Sequence, residues 1–510
     1  MSTALWVARP PRAHEFQLRS RLRTPAVTVP AGAGALATLV TALGSWIPSL
    51  WGDEAASALS AQRSLPSFLH EVTHVDAVHA VYYAALHVWV ALFGASAFSL
   101  RFPSAIATGV TVAGLIVLSR MFTASWRLPI LAAVLAVALP RLDFAGIEAR
   151  SYAWTAAVAT WIVVLAVATL RGRLPASAGW AGLAALCGAG AALNLMVGSL
   201  IAVIGCLAAL WGRGRRAQLA RWAAASAVAL VLASPIVLLG LLERHQVAFL
   251  AHRPVPATAW LVDQWFHDPL FAAVGWLLLG AAVVVVAVRR DAALDRGLGL
   301  VALLWAGLPS AFLIGTISTL HNYAARYLTF TAPAVAILMA LALDAAFRSW
   351  RPAGAAALAL VLAAAAPADL AQHGPNAENG SDWAQFGAVV AAHARPGDQL
   401  AFDEVVRPSR RPESAWRLYP ADFRGDAVPQ LITPYWQRHT WSDELMTIQD
   451  AAAQHRFTAA TVFAVEADFP GEGVVDVRGV PSLEASGYHV VEHWKLHSDD
   501  VYMLDRDPAR

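Results

Sequence analysis

The chain has 510 residues, 58% of them hydrophobic and only 14% charged, where a soluble globular protein carries about 25% charge. Long apolar blocks recur from residue 31 to residue 368 and then stop, which excludes a single soluble domain and predicts a polytopic membrane protein with a polar C-terminal region. The net charge of +2 says little by itself, and the only two cysteines, Cys187 and Cys206, lie inside apolar stretches, so no disulfide framework is implied.

In chain order, basic clusters punctuate the apolar blocks: Arg9 to Arg23, Arg120 to Arg127, Arg171 to Arg173, Arg213 to Arg221, Arg289 to Arg296 and Arg348 to Arg351. The positive-inside rule places all six in the cytoplasm. One arrangement satisfies every cluster, with eleven spans near 31–50, 102–119, 128–142, 151–170, 176–193, 195–212, 222–242, 269–288, 297–317, 327–347 and 352–368. It puts the N-terminus inside and the C-terminus outside. Residues 80–94 are apolar too, but counting them as a span would invert every later cluster. With His87, Trp89 and two tyrosines, they read as a helix lying in the outer interface. The basic N-terminal segment followed by an apolar core lacks a persuasive cleavage site and reads as a retained first span.

From about Ala371 the character changes. His373 to Gly380 reads as a linker, Asp382 is placed to cap a helix running to Arg395, and Pro396-Gly397-Asp398 ends it. Strand-like runs follow at Gln399 to Phe402, Ala459 to Val465, Tyr488 to Leu496 and Val501 to Leu504. The expected organisation is a cytoplasmic segment over 1–30, an all-α membrane domain over 31–368 and a small α/β extracytoplasmic domain over 369–510.

The chemistry-bearing residues cluster in the loops assigned to the outer face. Trp51-Gly52-Asp53-Glu54 sets two adjacent carboxylates just after the first apolar stretch. Carboxylates cost several kcal/mol at a bilayer centre, so the pair belongs at a surface. Next come His74, Asp76, His79, Tyr82, Tyr83 and His87; the histidines could hold a phosphate or a metal, and the spacing from His74 onward matches no standard zinc pattern. A further outer loop carries Arg141, Asp143, Glu148, Arg150 and Tyr152, and another carries His321, Arg326 and Tyr327. Each set also has a bland reading as caps, snorkelling arginines or pairs that keep a loop soluble. Together they supply carboxylates, imidazoles and guanidiniums to one membrane face. A carboxylate could deprotonate an acceptor hydroxyl there while cations hold a departing phosphate.

These motifs resemble a known family. Gly52-Asp53-Glu54, Asp76 to Tyr83, Phe93-Gly94, Arg101-Phe102-Pro103, Glu148-Ala149-Arg150-Ser151-Tyr152 and Arg326-Tyr327 followed by Pro333 look like those of bacterial GT-C glycosyltransferases. The branch is the one similar to protein O-mannosyltransferases and aminoarabinose transferases, and the resemblance covers residues 30–350. Asp382-Trp383 and Pro396 to Asp398 resemble the extracytoplasmic domain of actinobacterial relatives. In one departure, many relatives have His-Pro-Pro before the paired tyrosines, and this chain has Val78-His79-Ala80.

The resemblance implies a membrane glycosyltransferase of the bacterial plasma membrane that uses a polyprenyl-phosphate sugar and inverts the anomeric centre. Mannose is the first expectation for the sugar and arabinose the second, with a cell-envelope glycan, lipid or protein as acceptor. No nucleic acid is involved. A lipid-linked sugar transporter or flippase is the alternative from another class. The implied catalytic residues are Asp53 as general base, or Glu54 in its place. His79, Arg150 and Arg326 would bind the donor phosphate. Asp76, Tyr82, Tyr83, Glu148, Tyr152, His321 and Tyr327 would line the substrate site. Some relatives need Mg or Mn, for which no ligand set is assignable from the sequence.

Overall fold

The computed structural model describes residues 13–211, 214–243, 246, 254–288, 293–321, 323–403, 406–423, 425–467 and 479–507. Helix α1 (Ala13–Ala42) is followed by three short helices, α2 (Gly52–Ala61), α3 (Leu65–Val72) and α4 (Ala80–Phe93). Helices α5 (Ala97–Arg120), α6 (Arg127–Ala138), α7 (Pro140–Gly146), α8 (Tyr152–Leu170) and α9 (Ala176–Leu193) come next. Then follow α10 (Leu200–Trp211), α11 (Arg215–Leu242), α12 (Ala257–Leu261), α13 (Pro269–Val288), α14 (Ala293–Gly315), α15 (Ile317–Leu320), α16 (Ala332–Ser349) and α17 (Arg351–Gln372). Among the described residues nine helical segments are long and apolar enough to cross a membrane, and α6 with α7 makes a tenth as a bent pair. Of the eleven expected spans, these account for all but 195–212, which forms the shorter apolar stretch Leu195–Trp211.

Local chemistry sets the boundaries that matter for the site. Expected to run to residue 50, the first span ends at Ala42, and turns and bends occupy residues 43–48 before α2 begins at Gly52. The stretch expected as one span over 128–142 is broken, α7 turning 65° from α6. Pro140 has no N–H to donate and holds Leu139 in an extended conformation (φ −82°, ψ 113°), so the helix cannot continue through it. Ser96 caps α5 by accepting from Ser99 N at 3.2 Å. Residues 80–94 are helical, as expected, over Ala80–Phe93, and Gly94 ends the helix at φ 76°.

After α17, helix α18 (Trp383–His393) leads into a sheet. Strands β1 (Gln399–Phe402), β2 (Leu431–Thr433), β3 (Glu444–Leu445), β4 (Thr461–Ala467), β5 (Tyr488–Lys495) and β6 (Asp499–Arg506) form two sheets. The larger has the order β1-β4-β6-β5, with β1 and β4 parallel and the other pairs antiparallel; β2 pairs with β3. All four expected strands are present, every bound within two residues of the expected one. Asp382 stands at the N-cap of α18 without capping it: its carboxylate accepts from Ser498 N at 2.6 Å and Asp499 N at 3.0 Å, tying the helix start to the β5–β6 turn.

The sheet region is docked on the helices. Leu50, Ala55, Leu59, Tyr82 and Tyr83 share one apolar core with Trp383, Phe386, Phe402 and Phe463. The seam is close: a Cβ on Gly52 would lie 2.1 Å from Ser409 O, so the first residue of α2 has room for no side chain. Leu50 N also donates to the Tyr419 hydroxyl at 2.8 Å. The start of α2 is therefore clamped between the membrane helices and the C-terminal region.

Candidate active site

Asp53 and Glu54, neighbours in the first turn of α2, face different surroundings. Glu54 is fully buried and pairs with Arg101 of α5, whose Nε and Nη2 donate to its two oxygens at 2.7 and 2.5 Å. The Glu54 carboxylate also accepts from Ala149 N at 2.8 Å. Arg101 spends its other donors on the carbonyls of Ser45 and Pro48, both at 2.7 Å, and of Ser49 at 3.1 Å. One ion pair thus joins the turns after α1, the start of α2 and the 147–151 loop.

The Asp53 side chain keeps 19% of its surface. It pairs with Arg326 in a direct hydrogen bond, and Arg150 Nη2 lies 3.9 Å away. Burial pushes the Asp53 carboxyl up, but the positive charges of Arg326 and Arg150 outweigh it and hold the group below the usual carboxylate range. Arg407, from the C-terminal region, adds to that pull.

Arg150 is the hub. It donates to Asp53 O at 3.1 Å, to Ser57 Oγ at 3.3 Å and to the Tyr83 hydroxyl at 3.0 Å. Its Nη2 is 2.9 Å from His79 Nε2. Burial, then the charges of Arg150 and Arg326, push the His79 imidazole well below its usual range, so it is neutral and accepts at Nε2. Its Nδ1–H is buried with no partner. The Tyr83 hydroxyl in turn donates to Asp76 Oδ2 at 3.1 Å. Asp76 is in the left-handed region (φ 59°), and the turn it begins is fixed by Ala77 N donating to Glu243 Oε2 at 3.0 Å.

Glu148 is buried near Asp53, Arg326 and Arg150, and neither of its oxygens has a partner. Burial, reinforced by the negative charge of Asp53, pushes its carboxyl up to about 8, so it is mostly protonated at neutral pH. The Tyr152 ring lies under Arg326, 5.8 Å from the guanidinium carbon, and Tyr327 packs beside it. Tyr82 is buried next to Tyr83.

The structure therefore draws Asp53, Asp76, His79, Tyr83, Glu148, Arg150, Tyr152 and Arg326 into one cluster. His321 is exposed at the end of α15, outside this network. Three participants carried no site role in the sequence. Arg101 could be suspected as an arginine opening an apolar stretch, Arg407 as part of the basic run 407–411, and Glu378 as the lone carboxylate of a linker. Glu378 is fully buried close to Glu54, Arg101 and Glu148, and both its oxygens lack partners. For a metal, Asp143, Asp369 and His373 are the one group among the described residues whose ligand atoms already lie within 4.8 Å of one another.

No protein-family model and no curated protein matches the chain. Solved structures do match. The crystal structure of ArnT from Cupriavidus metallidurans bound to undecaprenyl phosphate aligns with a TM-score of 0.58 at 12% identity, covering 92% of this chain and 97% of that one. The apo state of the same protein aligns with a TM-score of 0.56 at 13% identity, with the same coverage. At these identities the likeness is one of fold. The chain is a multi-pass, mostly helical membrane protein with a small sheet-bearing C-terminal region, and its fold is the GT-C fold of ArnT.

Proposed function

We propose that the protein is a membrane glycosyltransferase that moves a sugar, mannose in the first instance, from a polyprenyl-phosphate donor to a cell-envelope acceptor on the outer face. One observation carries this reading: a part-exposed carboxylate, Asp53, held between two guanidiniums, Arg326 and Arg150, in a chain of GT-C fold. The binding of undecaprenyl phosphate by ArnT supports the donor class.

In the proposed reaction Asp53 takes the proton of an acceptor hydroxyl as its oxygen attacks the anomeric carbon from the face opposite the phosphate. The bond from that carbon to the phosphate oxygen breaks, the configuration inverts, and the lipid phosphate leaves with the electron pair. Arg326 and Arg150 neutralise the departing charge. In the resting structure both lie against Asp53, which lowers its basicity. An incoming phosphate that draws them away would raise the proton affinity of Asp53 at the moment a base is needed. The Nδ1–H of His79 is a further donor for that phosphate, and Glu54 holds α2 against the 147–151 loop. The C-terminal region, which brings Arg407 and Ser409 to α2, would position the acceptor.

The test is transfer by membranes containing the full chain, supplied separately with labelled polyprenyl-phosphate mannose, polyprenyl-phosphate arabinose and a nucleotide sugar with lipid carriers removed. Transfer from the mannosyl lipid alone is expected. Transfer from the arabinosyl lipid alone changes the sugar and keeps the class. No transfer from either lipid, or movement of the intact donor across the bilayer instead, sinks the proposal.

A further inference from the structure

Helix α3 and the turn after it read His70-Glu71-Val72-Thr73-His74. This is the H-E-x-x-H spacing, which sets two imidazoles on one helix face one turn apart. Their ring centroids are 4.7 Å apart. A third imidazole, His439, arrives from the C-terminal region, its centroid 6.3 Å from that of His70 and 5.8 Å from that of His74. With metal–nitrogen bonds of about 2.0–2.1 Å, imidazoles on one tetrahedral zinc ion have centroids roughly 5 Å apart. The rings are thus close to the spacing a shared ion requires; their ligand nitrogens do not all lie within 4.8 Å of one another in this structure, so binding requires His70 and His439 to turn about their side-chain bonds while His74 keeps its Nδ1 bond.

Two further features show that this meeting is built. First, the carbonyls on either side of His439 are gripped by one guanidinium. Arg63, only 2% exposed, donates from Nη1 to Arg438 O at 2.9 Å and from Nη2 to Thr440 O. Arg63 is held by Glu71, the residue between the two helical histidines' positions, at 3.0 Å, with both side chains fully buried. Ser67 Oγ adds a bond to Trp436 O at 2.6 Å. Second, His74 Nδ1 lies 2.7 Å from His70 O. A carbonyl oxygen only accepts, so Nδ1 carries the proton and Nε2 keeps its lone pair, the tautomer that ligates a metal through Nε2.

We propose that His70, His74 and His439 form a site for one divalent transition-metal ion of the zinc class, with water as fourth ligand, fastening the C-terminal region to the segment that leads into Asp76. Neutral imidazoles favour zinc, nickel or copper over magnesium or calcium. The site is not hydrolytic. In H-E-x-x-H peptidases the glutamate acts as general base beside the metal; here Glu71 is fully buried and committed to Arg63 and, at 3.1 Å, to Ser60 Oγ. The proposal stands apart from the sugar-transfer reading.

The experiment uses the tag-free full chain in detergent, stripped with chelator and titrated with Zn2+ by calorimetry, with melting followed in parallel. The expected result is one Zn2+ per chain and a melting temperature that rises with Zn2+. Removing a ligand should cost at least what removing an outer-shell partner does, so His439→Ala and His74→Ala should each weaken binding by about 10–100-fold. His439→Ala should also abolish the Zn2+-dependent rise while melting like wild type in chelator, since His439 is exposed. His373→Ala, which disrupts the Asp143, Asp369 and His373 group, should leave binding unchanged. If His74→Ala fails to fold, His439→Ala decides. Absence of Zn2+ binding, binding that survives His439→Ala, or binding lost in His373→Ala overturns the proposal.

Discussion

Two ion-paired clusters begin at consecutive residues of α2 and are built in opposite ways. Around Glu54 both partners are fully buried, and the Arg101 guanidinium is shared among the carboxylate and three carbonyls; the pair itself is closed, although the Glu378 carboxyl beside it has no partner. Around Asp53 the pairs are part-exposed, 19% for Asp53 and 34% for the Arg326 side chain. There Arg150 Nε, His79 Nδ1 and both Glu148 oxygens are buried with no partner. A closed cluster gains nothing from a ligand, because accepting one means breaking bonds already made. A cluster with unspent donors can take up an anion, and the cost of leaving buried polar groups unpaired is a reason for it to do so. The comparison separates a fastening from a site, although the two carboxylates share a backbone.

The largest effect that tests this contrast concerns Asp53. Asp53→Asn keeps size and removes basicity, so single-turnover transfer should fall by about 10²–10⁴-fold, the usual range for general-base help. Donor affinity should hold or rise, because Arg326 and Arg150 lose a competing partner. Near wild-type turnover in Asp53→Asn would move the base elsewhere.

Next in size is the fastening itself. Glu54→Gln leaves the Arg101 charge buried without its carboxylate, and removing one partner of a buried pair costs about 3–5 kcal/mol. The expected signature is a large fall in melting temperature, with donor binding and turnover falling together as the folded population shrinks. Replacing both partners, as in Arg101→Met with Glu54→Leu, should recover part of the stability, since it leaves no buried charge behind. If Glu54→Gln melts like wild type while its turnover collapses, Glu54 belongs to the site and the contrast fails.

The site was more legible in the sequence than the fastening. Asp53, His79, Arg150 and Arg326 stand at the ends of apolar blocks, where a charged residue has few places to go but the surface. Common sidedness alone then brings them near one another. The partner of Arg101, by contrast, is 47 residues away and buried, and nothing local distinguishes it from an arginine that snorkels. The approach of Ser409 to Gly52 is a meeting of backbones, which leaves only a glycine as its trace. Pro140 carried the signal for the break between α6 and α7, but hydropathy continues across it, and apolar length outweighed the missing N–H. The H-E-x-x-H spacing of His70 to His74 is plain in the sequence, but its third member, His439, becomes a neighbour only once the C-terminal region docks.

The third expected effect is a pH dependence that distinguishes the open cluster from the closed one. Burial and then the charge of Asp53 push the Glu148 carboxyl from 4.5 up to about 8. Between those values the folded chain keeps a proton that the unfolded chain releases. The contribution is fully present below about pH 4.5 and is lost as pH rises through 8, so stability should decline with rising pH over that window. Melting temperatures of the full chain in detergent, taken from pH 5 to pH 9, should show this decline. Glu148→Gln keeps a neutral, hydrogen-bonding side chain at every pH and should flatten it, with the variant at least as stable as wild type at the alkaline end. Equal slopes for the two proteins would mean that Glu148 is ionised throughout, paired with Arg326 or Arg150. The Asp53 cluster would then hold one more committed carboxylate and less spare capacity for a phosphate than its unpaired donors suggest.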